Sequence, residues 1–417
     1  MAFRQSRGAL SAEVLVEEGM IPEVETIKQN LLKEIEQIPV IDCHEHLPTE
    51  EEHLSMTLDL FSLFLSYTLL DLRQAGMSEE DTQSLFNKNL PLESRWELFE
   101  PYWNQVRYGS YAQAVLITVK KFWGIEDINR NTYQTLSEAI ANSNTPGIYD
   151  RVLKDACNIK TCLTQCGKTD TGTALLTPVI WIPDCDTEGT IRFLDFEPST
   201  RLESLDDYVD AVCNYIRRVK SEGAVGLKCF GQEFTAPDKK AASEIFKHFH
   251  DNEDFSPLKK EQRAFIPPSP LFNYIADIAF GLATELELVF AIHTGYWGDF
   301  RNWNPTNVIP TLERHPNTRF DLYHLGYPFV GESINIGDRF PNVWLNFCWT
   351  HIISKKCAYE TMDQVIDTVP VNKILGFGGD YGVPSQTVYG HLVMARDNIA
   401  GVLANRIANK KLTETQA

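Results

Sequence analysis

Two histidines one residue apart, in the run VIDCHEHLPTE of residues 40–50, are the first side chains whose spacing suits chemistry. On a β-strand, residues i and i+2 point to one face. A strand here turns Asp42, His44 and His46 one way and Cys43 and Glu45 the other. Two imidazoles on one face at a strand end can clamp a metal ion. They can equally be two ordinary histidines, and the pair by itself does not choose. Further donors fall at the ends of other apolar runs. His293 closes VFAIH, His324 follows DLY, Asp380 closes GFGGD, and Lys228 lies in VGLKCF. The chain has 10 histidines, and four of them stand at such ends, which random placement rarely gives. Three or four imidazole and carboxylate ligands around one open position make a catalytic site for a divalent ion. Zinc is expected first, with manganese, nickel or iron as alternatives, and one ion rather than two. In the fifth run His293 shares a face with Val289 and Ala291, and in the eighth Asp380 shares one with Gly378. Such small inward residues leave room for an ion.

These donors need a scaffold that gathers strand ends. Eight strand-like runs recur: PVIDCHEH, IKTCLTQC (159–166), LTPVIWIP (176–183), AVGLKCF (224–230), LELVFAIH (286–293), RFDLYHLG (319–326), VWLNFCW (343–349) and ILGFGGD (374–380). They are nearly continuous in Val, Ile, Leu and Phe, as strands buried on both faces are. Helical patterns separate the later ones, among them SLDDYVDAVCNYIRRVKSE and VYGHLVMARDNIAGVLANRI. Alternating strands and helices imply parallel pairing through right-handed crossovers. The expected fold class is therefore α/β, a (β/α)8 TIM-type barrel over residues 39–410, with its chemistry at the C-terminal strand ends. A doubly wound open sheet is the runner-up. It would bring a glycine-rich loop after its first strand, and HEHLPTE is not one. Residues 1–38 read as a polar amphipathic helix pair outside the barrel. Residues about 50–150 are helical and rich in aromatics, an insertion after the first strand that rises from the catalytic face. It forms a lid or substrate wall, or else packing or a dimer interface, which leaves a homo-oligomer open.

Composition narrows the partners. The 417 residues carry a formal charge of −19, from 57 acidic and 38 basic side chains. That balance argues against nucleic acid and anionic membrane as partners and leaves a small-molecule substrate. No run of 18 apolar residues is present to span a membrane. The start, MAFRQSRGALSAEVLVEEGM, has no secretory h-region, so a cytoplasmic location is expected. The nine cysteines then read as cytosolic thiols. Cys162 and Cys166 in CLTQC lack the second half of a zinc motif and read as buried small hydrophobes.

A strand-one Asp-x-His-x-His, a strand-five His, a strand-six His and a strand-eight Asp together resemble the amidohydrolase superfamily. The runs IHTGYWGDFRNWNP, FDLYHLGYPFVGE, PNVWLNFCWTHIIS and KILGFGGDY are similar to its amidohydrolase-related (amidohydrolase 2, FluG-like) branch. The resemblance covers about residues 38–410. It implies that His44, His46, His293 and Asp380 hold the metal and that His324 transfers a proton or polarises the substrate. In binuclear relatives a strand-four lysine is carboxylated and bridges two ions. Lys228 either takes that form or is an ammonium that binds a substrate carboxylate or oxyanion.

The implied reaction is hydrolysis of an amide, ester or lactone in a small carboxylate- or hydroxyl-bearing molecule, through a metal-activated water, with Asp380, His324 and Lys228 catalytic. Nonoxidative decarboxylation and sugar-acid isomerisation use the same site without a water nucleophile. Uronate isomerases share the barrel and the first motif, but their typical C-terminal signature is not evident. A FluG-like regulatory or scaffold domain is the non-enzymatic alternative. Arg301 in GDFRNWNP and Arg107 in PYWNQVRYGSY either pair with a substrate carboxylate or make ordinary salt bridges. Trp349 and His351 either line the pocket or are core and surface residues. His391 reads as structural, and His53, His248, His250 and His315 need no function.

Overall fold

The computed structural model describes residues 13–417, apart from residue 66, residues 183–201, residues 252–268 and residue 297. Eight parallel strands follow one another around a single sheet in chain order. They are β1 (Val40–Glu45), β2 (Ile159–Thr164), β3 (Leu176–Trp181), β4 (Gly226–Phe230), β5 (Val289–His293), β6 (Arg319–Tyr323), β7 (Val343–Asn346) and β8 (Ile374–Leu375). Helices such as Leu205–Ser221, Pro270–Glu285 and Thr387–Ala408 lie between or after them. This is the (β/α)8 barrel expected from the sequence, nearly closed, and it removes the open doubly wound sheet. Each expected strand run contains one of the eight strands.

Closure happens at the mouth. β8 is short, and beyond it the chain continues alongside β1 through backbone hydrogen bonds. Cys43 N donates to Phe377 O at 3.1 Å, Asp380 N to His44 O at 2.8 Å and His46 N to Tyr381 O at 2.9 Å. The first and last motifs of the chain are thus stitched to each other. The main core lies between strands and helices, where Leu227, Phe290, Phe320 and Leu345 meet Ile275, Phe280, Val365 and other buried apolar side chains.

The N-terminal extension is helical as expected: one 23-residue helix, Glu13–Ile35, fills most of its described part and is followed after four residues by β1. One expectation changes. Strict alternation in β1 fails. Asp42 pairs with Cys162 and Glu45 with Thr164, so β1 spends three steps where β2 spends two. This β-bulge resets the faces. Asp42 and Glu45 now meet through their carboxyl groups, although the spacing had put them on opposite faces.

The insertion between β1 and β2 is helical as expected. A capping box at Thr49, reciprocated by Glu52, starts it three residues after His46. Its longest helix, Leu92–Val106, turns Trp96, Phe99 and Trp103 to one side at helical spacing. They form a separate core with Phe61, Phe64 and Leu136. Fully burying a side chain such as Phe99 contributes roughly 1.5–3 kcal/mol, so this unit has its own source of rigidity.

Candidate metal centre

The mouth of the barrel gathers the residues that the strand ends carried. Asp380 Oδ1 lies 3.0 Å from His44 Nε2 and 3.3 Å from His46 Nε2. One donor atom from each of the three falls within 4.8 Å of the others. Oδ1 is buried and accepts no hydrogen bond of proper geometry, although two ring nitrogens crowd it. Three donors that converge without bonding one another fit a cation between them. Burial pushes the His44 imidazole well below its ordinary pKa, and so does the nearby Lys228, although Asp380 pulls the other way. His44 is therefore neutral, with a lone pair to give. Burial alone would raise the Asp380 carboxyl, but the surrounding imidazoles outweigh it and hold the group well below the usual carboxylate range.

His44 and the backbone around Asp380 are held from behind. Gln165 Nε2 sits 3.1 Å from His44 Nδ1 and fixes that ring. The Tyr323 ring packs on His44 at 4.3 Å between centroids. Asp42 Oδ1 accepts from the backbone N–H groups of His44 at 3.2 Å and Gly379 at 3.1 Å. Glu45 accepts from Tyr381 N at 2.6 Å. Burial lifts Asp42 to about 6 and Glu45 well above its usual value. The two carboxyls therefore share a proton and clamp both sides of Asp380. A Cβ at Gly379 would collide with the Glu45 carboxyl, so only glycine fits there.

Three site residues take left-handed backbone: His324 (φ 65°), Trp349 (φ 60°) and Asp380 (φ 62°). For residues with side chains this conformation costs on the order of 1–3 kcal/mol each and persists only where the surroundings enforce it. They follow β6, β7 and β8 in turn. Asp380 therefore reaches its partners by a sharp backbone turn and not by the two-residue alternation with Gly378.

His293 and His324 stand beside the three-donor cluster. His324 Nε2 lies 3.1 Å from His293 Nδ1 and 4.0 Å from Asp380 Oδ2. Its other nitrogen, Nδ1, lies 3.1 Å from Cys348 O. Burial lowers His324 to about 4, so it is neutral at pH 7. His293, read from the sequence as a ligand, thus faces a second imidazole and is not one of the three converging donors. The space that Ala291 leaves lies below the site, in the barrel interior, and not among the three converging donors.

Lys228 ends up fully buried on β4, the strand expected. Its Nζ lies 3.8 Å from the Tyr323 ring centre and 5.3 Å from that of Trp181. Burial brings its ammonium down to about 8. Trp349 is buried as a wall of the site. It stacks on Tyr67 at 3.6 Å and meets His324 edge-on at 5.4 Å. Tyr67, from the helical insertion, donates to Asp380 Oδ2 at 2.6 Å.

The two arginines are placed elsewhere. Arg301 is 79% exposed and makes a two-pronged bond to Asp299 at 2.7 and 2.6 Å. Arg107 pairs with Asp127 and lies over the Trp103 ring. Neither makes a bond to the cluster among the described residues; both use the geometry of ordinary local ion pairs. His351 points behind the site to Gly376 O and Asn398. His391 is buried beside Gly379 O, and His53 joins Asn144 to the backbone at Ser385. His315 pairs with Asp277. The side chains of His248 and His250 lie outside the described residues. Cys162 is buried as expected, whereas Cys166 is half-exposed.

Tyr67 and Gln165, which contact the cluster, are the candidates that sequence reasoning missed. Gln165 stands at the end of a recognised strand run, IKTCLTQC, so the strand-end rule was enough to find it. Tyr67 lies 313 positions from its partner in a stretch of helix pattern, where no local signal marks it.

Residues 206–397 match the family model described as Amidohydrolase. No curated protein matches the chain in sequence. Among solved structures it resembles a protein from Lactobacillus casei described as a metal-dependent hydrolase. Identity there is 16%, with 92% of this chain and 91% of that one covered and a TM-score of 0.62. It also resembles a glucuronate isomerase from Caulobacter crescentus (15% identity, 95% and 91% covered, TM-score 0.74). A uronate isomerase from Thermotoga maritima is similar as well (13%, 94% and 93%, TM-score 0.72). At these identities the likeness is one of fold. Among the described residues no helix is long and apolar enough to cross a membrane. The family match takes in β4 to β8, and with them His293, His324 and Asp380, and over that stretch the chain is similar to the amidohydrolase family.

Proposed function

We propose that the chain is a metal-dependent hydrolase that cleaves an amide, ester or lactone bond in a small carboxylate- or hydroxyl-bearing molecule. The observation that carries this reading is the convergence of His44, His46 and Asp380 at the barrel mouth without hydrogen bonds among them. Imidazole and carboxylate donors suit zinc first. A divalent ion held there supplies Lewis acidity and an activated water. One ion is favoured, with Lys228, whose Nζ lies 3.8 Å from the Tyr323 ring centre, read as an ammonium.

The chain's own groups then divide the work. Tyr67 keeps Oδ2 of Asp380 engaged, so Oδ1 stays toward His44 and His46. Neutral His324, 4.0 Å from Asp380, is placed to take a proton and return it to the leaving group. Lys228 brings positive charge toward a developing oxyanion or a substrate carboxylate. Trp349 and Tyr67 form a stacked wall that keeps water from one side.

A second reading, isomerisation of a sugar acid, is favoured by the Tyr67–Asp380 bond. A phenol and a carboxylate 2.6 Å apart can hand one proton between neighbouring carbons. The proteins from Caulobacter and Thermotoga carry that activity in their names. The zinc-loaded protein should be offered small lactones, esters and uronic acids in ¹⁸O- and deuterium-enriched water. Hydrolysis places ¹⁸O in the product carboxyl. Deuterium at C2 of a uronate without ¹⁸O uptake would replace the first reading by the second.

A further inference from the structure

Below the metal centre the barrel is hollow. A cavity of about 410 Å³ runs up its interior. Arg319, Asp321 and Tyr323, alternate residues of β6, all line it, so it extends from the start of that strand to its end. The interior of such a barrel is ordinarily filled by layers of bulky branched side chains. Here Cys43, Gly226 and Ala291 supply small groups at inward positions, and the space stays open. Ile41 is 53% exposed and Val225 39%, so the cavity meets solvent at the strand starts, on the face away from the metal site. The volume lies within the ~300–1,000 Å³ of small-molecule sites.

One polar group stands out in this apolar lining. Asp321 is 4% exposed. Its Oδ2 accepts from Asn346 Nδ2 at 3.0 Å. Its Oδ1 has no hydrogen-bond partner among the described residues. A buried acceptor left unmatched is a cost to the fold, which a ligand donor would recover. Two cationic side chains, Lys228 near the carboxyl and Arg319 at the opening, work against a charged amine as that donor. The apolar walls work against an anion.

We infer that this lower cavity is a second ligand site, for a small uncharged apolar molecule whose single hydroxyl donates to Asp321 Oδ1. Such a molecule would also touch the Tyr323 ring, which on its own account packs against His44 at 4.3 Å. The floor of the metal centre and the roof of this cavity are thus one side chain.

The test uses full-length protein labelled with 5-fluorotryptophan and two probes, 2-naphthylmethanol and 2-methylnaphthalene, followed by ¹⁹F NMR and calorimetry. Trp344 lines the cavity and Trp349 lines the metal site, and each resonance is assigned by replacement with Phe. The alcohol is expected to bind about fivefold more tightly than the hydrocarbon and to move the Trp344 resonance. Asp321→Leu should bring the ratio close to one. Val225→Trp, at the half-exposed opening, should abolish binding of both probes while metal content stays unchanged. Equal affinity for the two probes, no binding of either, unaltered alcohol binding in Val225→Trp, or a shift of Trp349 in place of Trp344 would each overturn the assignment.

Discussion

The two ends of the barrel are built from the same eight strands and have opposite characters. At the mouth, imidazoles and carboxylates crowd together, and nearly every one is held from behind. Gln165 holds His44, the Cys348 carbonyl faces His324, and the Asp42–Glu45 pair holds the backbone on both sides of Asp380. At the foot, small and apolar side chains leave a void, and the lone carboxyl of Asp321 has one partner. Polar groups without a supporting layer cannot hold a fixed geometry, so the layer behind a residue says more about chemistry than the residue type does. The mouth has such a layer, and the foot has room instead.

The sharpest way to break this contrast is to remove the mouth's donors. His44→Ala combined with His46→Ala should eliminate stoichiometric metal, read by elemental analysis. The fold should survive, since the barrel core supplies most of the stability in a chain of this size. Full metal content in that double variant would refute the centre.

Removing one support should have a smaller effect. Tyr67→Phe and Gln165→Leu each delete a bond to a proposed ligand, and each should weaken metal affinity by roughly 10- to 100-fold. Competition with a coloured chelator measures it. An unchanged affinity would make Tyr67 a packing residue.

The two histidines behind the mouth and the carboxyl at the foot should respond to pH in opposite directions, while the buried Asp42 and Glu45 share the direction of the foot. Burial lowers His351 to about 4 and His391 to about 3, both below the usual 6.5. The unfolded chain binds protons first, so this layer behind the mouth loses stability as pH falls from 6.5 through 4. Burial raises Asp321 to about 7. Here the fold keeps a proton that the unfolded chain gives up near 4. Stability present at low pH is therefore lost as pH rises to 7. Each slope amounts to a few kcal/mol at most, at ~1.4 kcal/mol per pH unit. Asp321→Asn should flatten the neutral limb of urea midpoints and His391→Gln the acid limb. Flattening of the same limb by both variants would dissolve the distinction.

The smallest effect is expected at Arg301. Its exposed pairing with Asp299 predicts that Arg301→Ala changes stability by less than about 0.5 kcal/mol and leaves metal affinity untouched. A tenfold loss of metal or substrate affinity would return this arginine to the site.

Eight apolar runs and their polar end residues were legible because strand burial and strand-end placement are local properties. Val, Ile and Leu mark a strand buried on both faces, and the residue after such a run must emerge at the mouth. His44, His46 and Asp380 follow from that rule, and so does the position of Lys228 on β4. What only the tertiary structure decided depends on contacts with no local trace. Tyr67 meets Asp380 across 313 positions. The bulge in β1 adds one residue without altering its composition, yet it moves Asp42 to the side of Glu45. Left-handed turns at His324, Trp349 and Asp380 overrule the two-residue alternation. Arg301 and Arg107 took nearby carboxylates, a choice set by distances that spacing alone does not contain. The hollow foot arose because small residues from three separate strands fell into the same layers, and only the closed barrel brings those strands together.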